Sequence, residues 1–168
     1  MACALTQGFN LDCRDSIGGV KYLYIIETGN ISSITEASGV VTALTLAGTP
    51  RRYNLIRDTS NFSETLTVSE QNGTVFAAQS VEIVINKRQA NTRNEIMLLA
   101  KNNLTFFIVD NNGKGWMIGR EFGLVLGAAV TGSGMAWGDR NGYTLPFAGN
   151  EKELAPEIAA DVLATLAA

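Results

Sequence analysis

The chain has 168 residues, of which 46% are hydrophobic and 17% charged, with thirteen basic residues against sixteen acidic ones and a net charge of −3. That length suits one domain, 1–168, with a substantial core, and the charged fraction falls below the ordinary soluble average of about 25%, as expected of a chain whose surface is partly covered by partners. The absence of histidine removes Ser-His-Asp and Cys-His nucleophilic sites and His-bearing metal centres, and no basic run exceeds Arg51-Arg52, so no linear segment supplies the phosphate-neutralising face that a nucleic-acid binder needs.

No apolar run reaches the 18 or so residues of a membrane span, and the first residues lack the basic start and apolar stretch of a secretion signal. The expectation is a chain made and kept in a cytosol. There Cys3 and Cys13 are read as free thiols or small core residues, and two thiols without histidine make no standard zinc site.

Gly18-Gly19 opens a β-branched and aromatic run over 20–27, closed by Gly29-Asn30. Two more strands are predicted at 31–35 and 40–46, split by Ser38-Gly39. Gly48-Thr49-Pro50 breaks the chain before 51–57. Residues 62–70 alternate cleanly, with Phe62, Glu64, Leu66 and Val68 on one side, the period of a half-buried strand. Asn72-Gly73 is the strongest short hairpin signal, because both positions accept φ > 0. The returning strand, 74–86, exceeds the usual five or six residues, so the hairpin 62–86 is expected to protrude as an arm or to span a sandwich.

Thr92 precedes Glu95 by three, a capping box, and Ile96, Leu99 and Ala100 recur at helical spacing; this predicts a helix over 92–102. Residues 104–110 read as a hydrophobic strand, turned by Asn111-Asn112-Gly113 into 115–119. A glycine-rich loop, 127–138, a third Asn-Gly at Asn141-Gly142 and a last strand at 143–148 follow. Pro156 sits where the first turn of a helix tolerates it, predicting a C-terminal helix over 156–167 that docks on its own domain or on a neighbour. The order predicts a mainly β fold, a sandwich or barrel with one flanking helix and a short C-terminal one.

The chemistry-bearing candidates are few. The run from Gly132 to Gly138, Gly-Ser-Gly-Met-Ala-Trp-Gly, has its third glycine one place late for a dinucleotide fingerprint, and no helix or Gly-Lys-Ser/Thr follows; a loop ordered by assembly is the better reading. Asp110, Asp139 and Asn111-Asn112-Gly113 lack the spacing of a calcium loop and read as turn formers. Trp116 and Trp137 fill core or anchor an interface; for Trp137 both readings stay open. Asn30, Asn61, Asn72 and Asn103 each begin an N-x-S/T triplet, read as chance without a secretion signal. No metal, no cofactor and no catalysis is expected. An enzyme built on paired carboxylates has no pointer in the chain.

Three segments carry a resemblance: Cys3 with Asp12-Cys13-Arg14-Asp15 and Gly18-Gly19; Asn94-Glu95-Ile96 through Leu104 to Asp110-Asn111-Asn112-Gly113-Lys114; and Gly138-Asp139-Arg140-Asn141-Gly142-Tyr143-Thr144-Leu145 with Phe147-Ala148-Gly149-Asn150-Glu151. In order and spacing they resemble tail-tube-like virion structural proteins of tailed phages, especially of the Bacteroidetes-phage type. The resemblance implies a tail-tube-like β-sandwich with a flanking helix, whose copies form rings, usually hexameric, that stack into a DNA conduit in the virion tail. The implied partners are the chain itself and other virion proteins, with DNA passing unbound. A head-tail connector or collar ring is the nearest alternative; a β-sandwich module that binds carbohydrate or a host surface is a more distant one. The residues expected at subunit contacts are Gln71, Asn72, Gly73 and Thr74 at the hairpin tip, and Gly132, Gly134 and Trp137 in the glycine loop.

Overall fold

A computed structural model describes residues 5–167; Cys3, and with it any pairing with Cys13, lies outside them. The elements are β1 (Val20–Glu27), a 3-10 turn (Thr28–Asn30), β2 (Ile31–Ala37), β3 (Val40–Leu46), β4 (Arg51–Asn54), β5 (Asn61–Ser69), β6 (Thr74–Asn86), α1 (Ala90–Leu99), β7 (Leu104–Asp110), β8 (Gly115–Ile118), β9 (Val125–Leu126), β10 (Val130–Gly132), β11 (Gly142–Glu151), β12 (Glu157–Ile158) and α2 (Ala160–Thr165). One sheet has the order β2-β3-β12-β8-β7-β1-β4; the other runs β10-β11-β6-β5, with β9 also on β11.

Alternate side chains of the central strands feed two separate cores. Leu23 and Ile25 of β1 and Phe106 and Ile108 of β7 meet Val81 and Ile83 of β6, Leu145 and Phe147 of β11, and Ile96 and Leu99 of α1. Phe106 and Phe147 make the central contact between the sheets, their ring centroids 4.9 Å apart. On the opposite face of the first sheet, Tyr24, Ile26, Phe107 and Met117 pack with Val41, Ile158 and the α2 residues Val162 and Leu166. This explains why β7 is buried from Leu104 to Val109 and reads as continuous hydrophobe rather than alternation.

The first sheet must curl. Five strand steps, about 24 Å at ~4.8 Å each, separate β1 from β2 in the sheet order, yet only three residues join them in sequence. Those span at most about 14 Å. The β2–β3 hairpin therefore folds back over the second core, which Ile31, Ile34, Leu44 and Leu46 help to line. Its attachment to the rest of the sheet is β12, parallel to β3 and antiparallel to β8.

That short strand corrects the expected helix over 156–167. Pro156 is buried and its carbonyl accepts a hydrogen bond from Met117 N at 3.1 Å, while Glu157 N and Ala159 N donate to Gly39 and Val41 at 2.9 and 3.0 Å. The slot between β3 and β8 offers backbone partners that a helix could not use, so helix begins only at Ala160. Helix α1 likewise starts earlier than predicted: Gln89 is the N-cap, with no side-chain cap bond, and Thr92 lies in the first turn, so the capping box does not form. Ile96 and Leu99 are its buried residues as expected, whereas Ala100 is exposed. Tyr53 of β4 donates to Glu95 Oε1 at 3.4 Å; burial, and then the neighbouring carboxylate, raise its pKa well above the ordinary tyrosine value.

The strand predicted at 51–57 ends at Asn54, and the last long strand runs over Gly142–Glu151 rather than 143–148. Asn141-Gly142 is not a turn. Gly142 pairs with Asn86 and Gly132, and a Cβ there would collide with the Ile85 carbonyl, so close backbone approach demands the glycine. Pro146, in the middle of β11, is tolerated because its carbonyl side faces Gly127, in the gap between β9 and β10 where the ladder is interrupted.

Candidate assembly interface

The β5–β6 hairpin keeps an unbroken register from Asn61↔Glu82 to Ser69↔Thr74. Its turn is a four-residue loop, 70–73, closed by Gly73 N donating to Glu70 O at 3.3 Å, and only Gly73 has positive φ. The expected turn over 71–73 thus also takes in Glu70, and positive φ falls on Gly73 alone rather than on both Asn72 and Gly73. Most of the hairpin is not a free arm. β11 flanks β6 from Asn86 to Ala77, so only the last three rungs, about 10 Å of strand, project beyond the sheet. On one face of that tip Val68 and Val75 are 65 and 55% exposed, as is Leu66 on the adjoining rung at 49%, although the same face of β5 is half-buried at Phe62 and Glu64.

Gln71, Asn72, Gly73 and Thr74 are all exposed at this tip. Gly132, Gly134 and Trp137 lie at the far end of the same sheet, because Gly132 pairs with Gly142 and Gly142 with Asn86, the opposite terminus of β6. Thirteen residues of strand separate the two groups, about 40 Å, so the predicted contact residues form two poles rather than one patch. The glycine loop has local order: Asp139 accepts from Met135 N and Ala136 N at 2.9 Å each, and those bonds hold its carboxyl below the usual carboxylate range. Residues 133–141 are exposed throughout, and the turn presents Met135 and Trp137 fully to solvent. Trp116 instead packs against the main core and donates Nε1 to Asp110 Oδ2 at 3.3 Å.

The four sheet borders differ. An edge strand is a template for foreign strands unless bulges, charge, proline or brevity blunt it. β2 has two register shifts, β4 is four residues with Arg51 and Arg52, and the β9/β10 border consists of pieces of two and three residues. β5 is nine residues long, regular, and contains no proline, lysine or arginine. Its single charge, Glu64, is turned to internal use: Oε2 accepts from Gln79 Nε2 at 3.1 Å and from Ala155 N at 2.8 Å.

Gln79, buried in β6, completes a latch between the sheets, its Oε1 accepting from Gly119 N at 2.9 Å. The same segment is fixed by buried Glu151, whose carboxylate accepts from the amides of Glu121, Phe122 and Gly123. An open cleft of about 400 Å³ borders this network. Four of its five charged side chains are engaged, Arg120 with Glu36, Lys152 with Glu121 and Glu151 with backbone, while Glu153 makes no such contact among the described residues. Among the described residues no group of three His, Cys, Asp or Glu is placed to hold a metal ion, and no helix is long and apolar enough to cross a membrane.

One further exposed element was missed in the sequence. Residues 5–18 precede β1 without regular structure, with Leu5, Phe9 and Leu11 fully exposed. The root of this arm is clamped. Asn112 Oδ1 accepts from Ile17 N at 2.9 Å while its Nδ2 donates to Ile17 O at 2.7 Å, and Asn111 Nδ2 donates to Gly18 O at 2.7 Å. The alternation of residues 5–13 was the available signal. No protein-family model, curated protein or solved structure matches this chain.

Proposed function

We propose that this chain is a non-catalytic structural subunit of a phage tail tube or related virion ring, made in a bacterial cytoplasm and assembled from copies of itself. The observation that supports this is β5: nine regular residues of unblunted sheet border, beside an apolar tip left exposed among the described residues. Lateral association satisfies such a border, since strand addition pairs its free amides and carbonyls. The two poles of the second sheet suit axial stacking, the Leu66, Val68 and Val75 tip of one ring meeting the Met135 and Trp137 loop of the next. A heterologous contact of this kind propagates without self-closure.

A DNA conduit must not hold DNA. The net charge of −3 and the absence of a basic run longer than two residues fit a lumen that repels phosphate and lets the polymer slide. A connector or collar ring uses the same contacts in another place along the particle.

Negative-stain microscopy of concentrated protein tests the proposal. Rings or stacked tubes are expected, and deletion of residues 71–74 reduces them while circular dichroism stays that of the parent. Normal tubes from the deletion variant rule out the tip as an axial contact, and dispersed particles from the parent under nucleating conditions rule out the ring.

A further inference from the structure

We infer that the unblunted β5 border is covered by the arm of a neighbouring copy, residues 5–13, added as an extra antiparallel or parallel strand. The inference rests on the reading that copies associate, and names what does the covering. Residues 5–13 alternate with period two: Leu5, Gln7, Phe9, Leu11 and Cys13 against Thr6, Gly8, Asn10 and Asp12. That is the pattern of a strand with one apolar face, yet residues 5–12 make no hydrogen bond to other described residues and are all exposed.

The acceptor has the matching shape. It spans the same nine residues and alternates in the same way, with Leu66 and Val68 left exposed on the face that Phe9 and Leu11 would extend. Charge does not oppose the pairing. The donor's one charge in this span is Asp12 on its polar face, and the acceptor's one charge, Glu64, is already hydrogen-bonded within its own chain. The clamp of Asn111 and Asn112 on residues 17 and 18 fixes where the arm leaves the body, which lowers the entropy lost on docking. Donor and acceptor are different surfaces, so each copy gives one strand and receives one, and the contact runs on from copy to copy.

Amide hydrogen exchange on the full chain at low and high protein concentration reads both segments at once. Slowed exchange is expected in residues 5–13 and in those amides of 61–69 that do not pair with β6, together and only at high concentration, and lost from both in Phe9→Asp/Leu11→Asp, whose circular dichroism should match the parent because neither side chain touches the body. Protection of 61–69 without 5–13 overturns the arm as occupant while leaving association standing. Protection of both at every concentration means the arm lies on its own chain and overturns exchange between copies. Absence of concentration-dependent protection anywhere overturns association itself.

Discussion

Replacing Leu66 and Val68 with threonine should separate assembly from folding. Threonine keeps the strand propensity of the position and changes only the apolar face. Leu66 is 49% and Val68 65% exposed in the free chain, so together they hold in reserve a little more than one full apolar side chain of area. At about 1.5–3 kcal/mol for a complete burial, covering that reserve contributes about 2–3 kcal/mol per contact. The double variant should therefore associate roughly 30- to 200-fold more weakly. The cost to the monomer is smaller. The already buried half of Leu66 amounts to about 1 kcal/mol, a fall of about 2–4 °C in Tm for a chain of this size. Sedimentation velocity over a concentration series gives the association constant, and a thermal melt gives the other number. An unchanged association constant would refute the argument, as would a loss of assembly that merely tracks unfolding.

Other outcomes follow from the interior. Gln79→Ala leaves Gly119 N–H and the Glu64 carboxylate without their buried partner; a loss of about 2–3 kcal/mol is expected by chemical denaturation, whereas a loss below 0.5 kcal/mol, taken as ~ the noise of surface substitutions, would remove the latch from the account. Phe106→Ala empties the centre of the inter-sheet contact and should cost about 3–5 kcal/mol by the same measurement. Asp139 has a depressed carboxyl pKa, so the order it gives the glycine loop is present above the ordinary value of 3.8 and is lost as pH falls through the lower folded value. Trp137 fluorescence should therefore report a transition on acidification below that value, absent in Asp139→Asn; an identical acid response in the variant would contradict the turn.

Much of the fold was legible where local signals and the sheet agree. The run of 20–27 between glycine pairs, 40–46 after Ser38-Gly39, and 104–110 before Asn-Asn-Gly are strands with the expected bounds, because β-branched and aromatic residues there also face a core on at least one side. Legibility failed where a distant partner decides. Glu157–Ile158 is a strand only because β3 and β8 leave a slot for it, and nothing local in an alanine-rich stretch after Pro156 distinguishes that from a first helical turn. Gly142 resembled a turn glycine, but its role comes from Ile85 on another strand. The same limit applies to the interface. Asn72-Gly73 marked the tip correctly, yet the exposed face beside it depends on where β11 stops flanking β6, which the hairpin's own residues do not encode. The double service of Asn111 and Asn112, turning β7 into β8 while gripping residues 17 and 18, likewise needs contacts more than ninety positions apart.

The central claim is that β5 borders another copy in the assembled state. A cryo-electron-microscopy reconstruction of assembled protein, at a resolution that separates strands, addresses it directly. The account predicts density for a further strand about 4.8 Å from β5, belonging to a neighbouring subunit. An assembly in which β5 faces open solvent would contradict it.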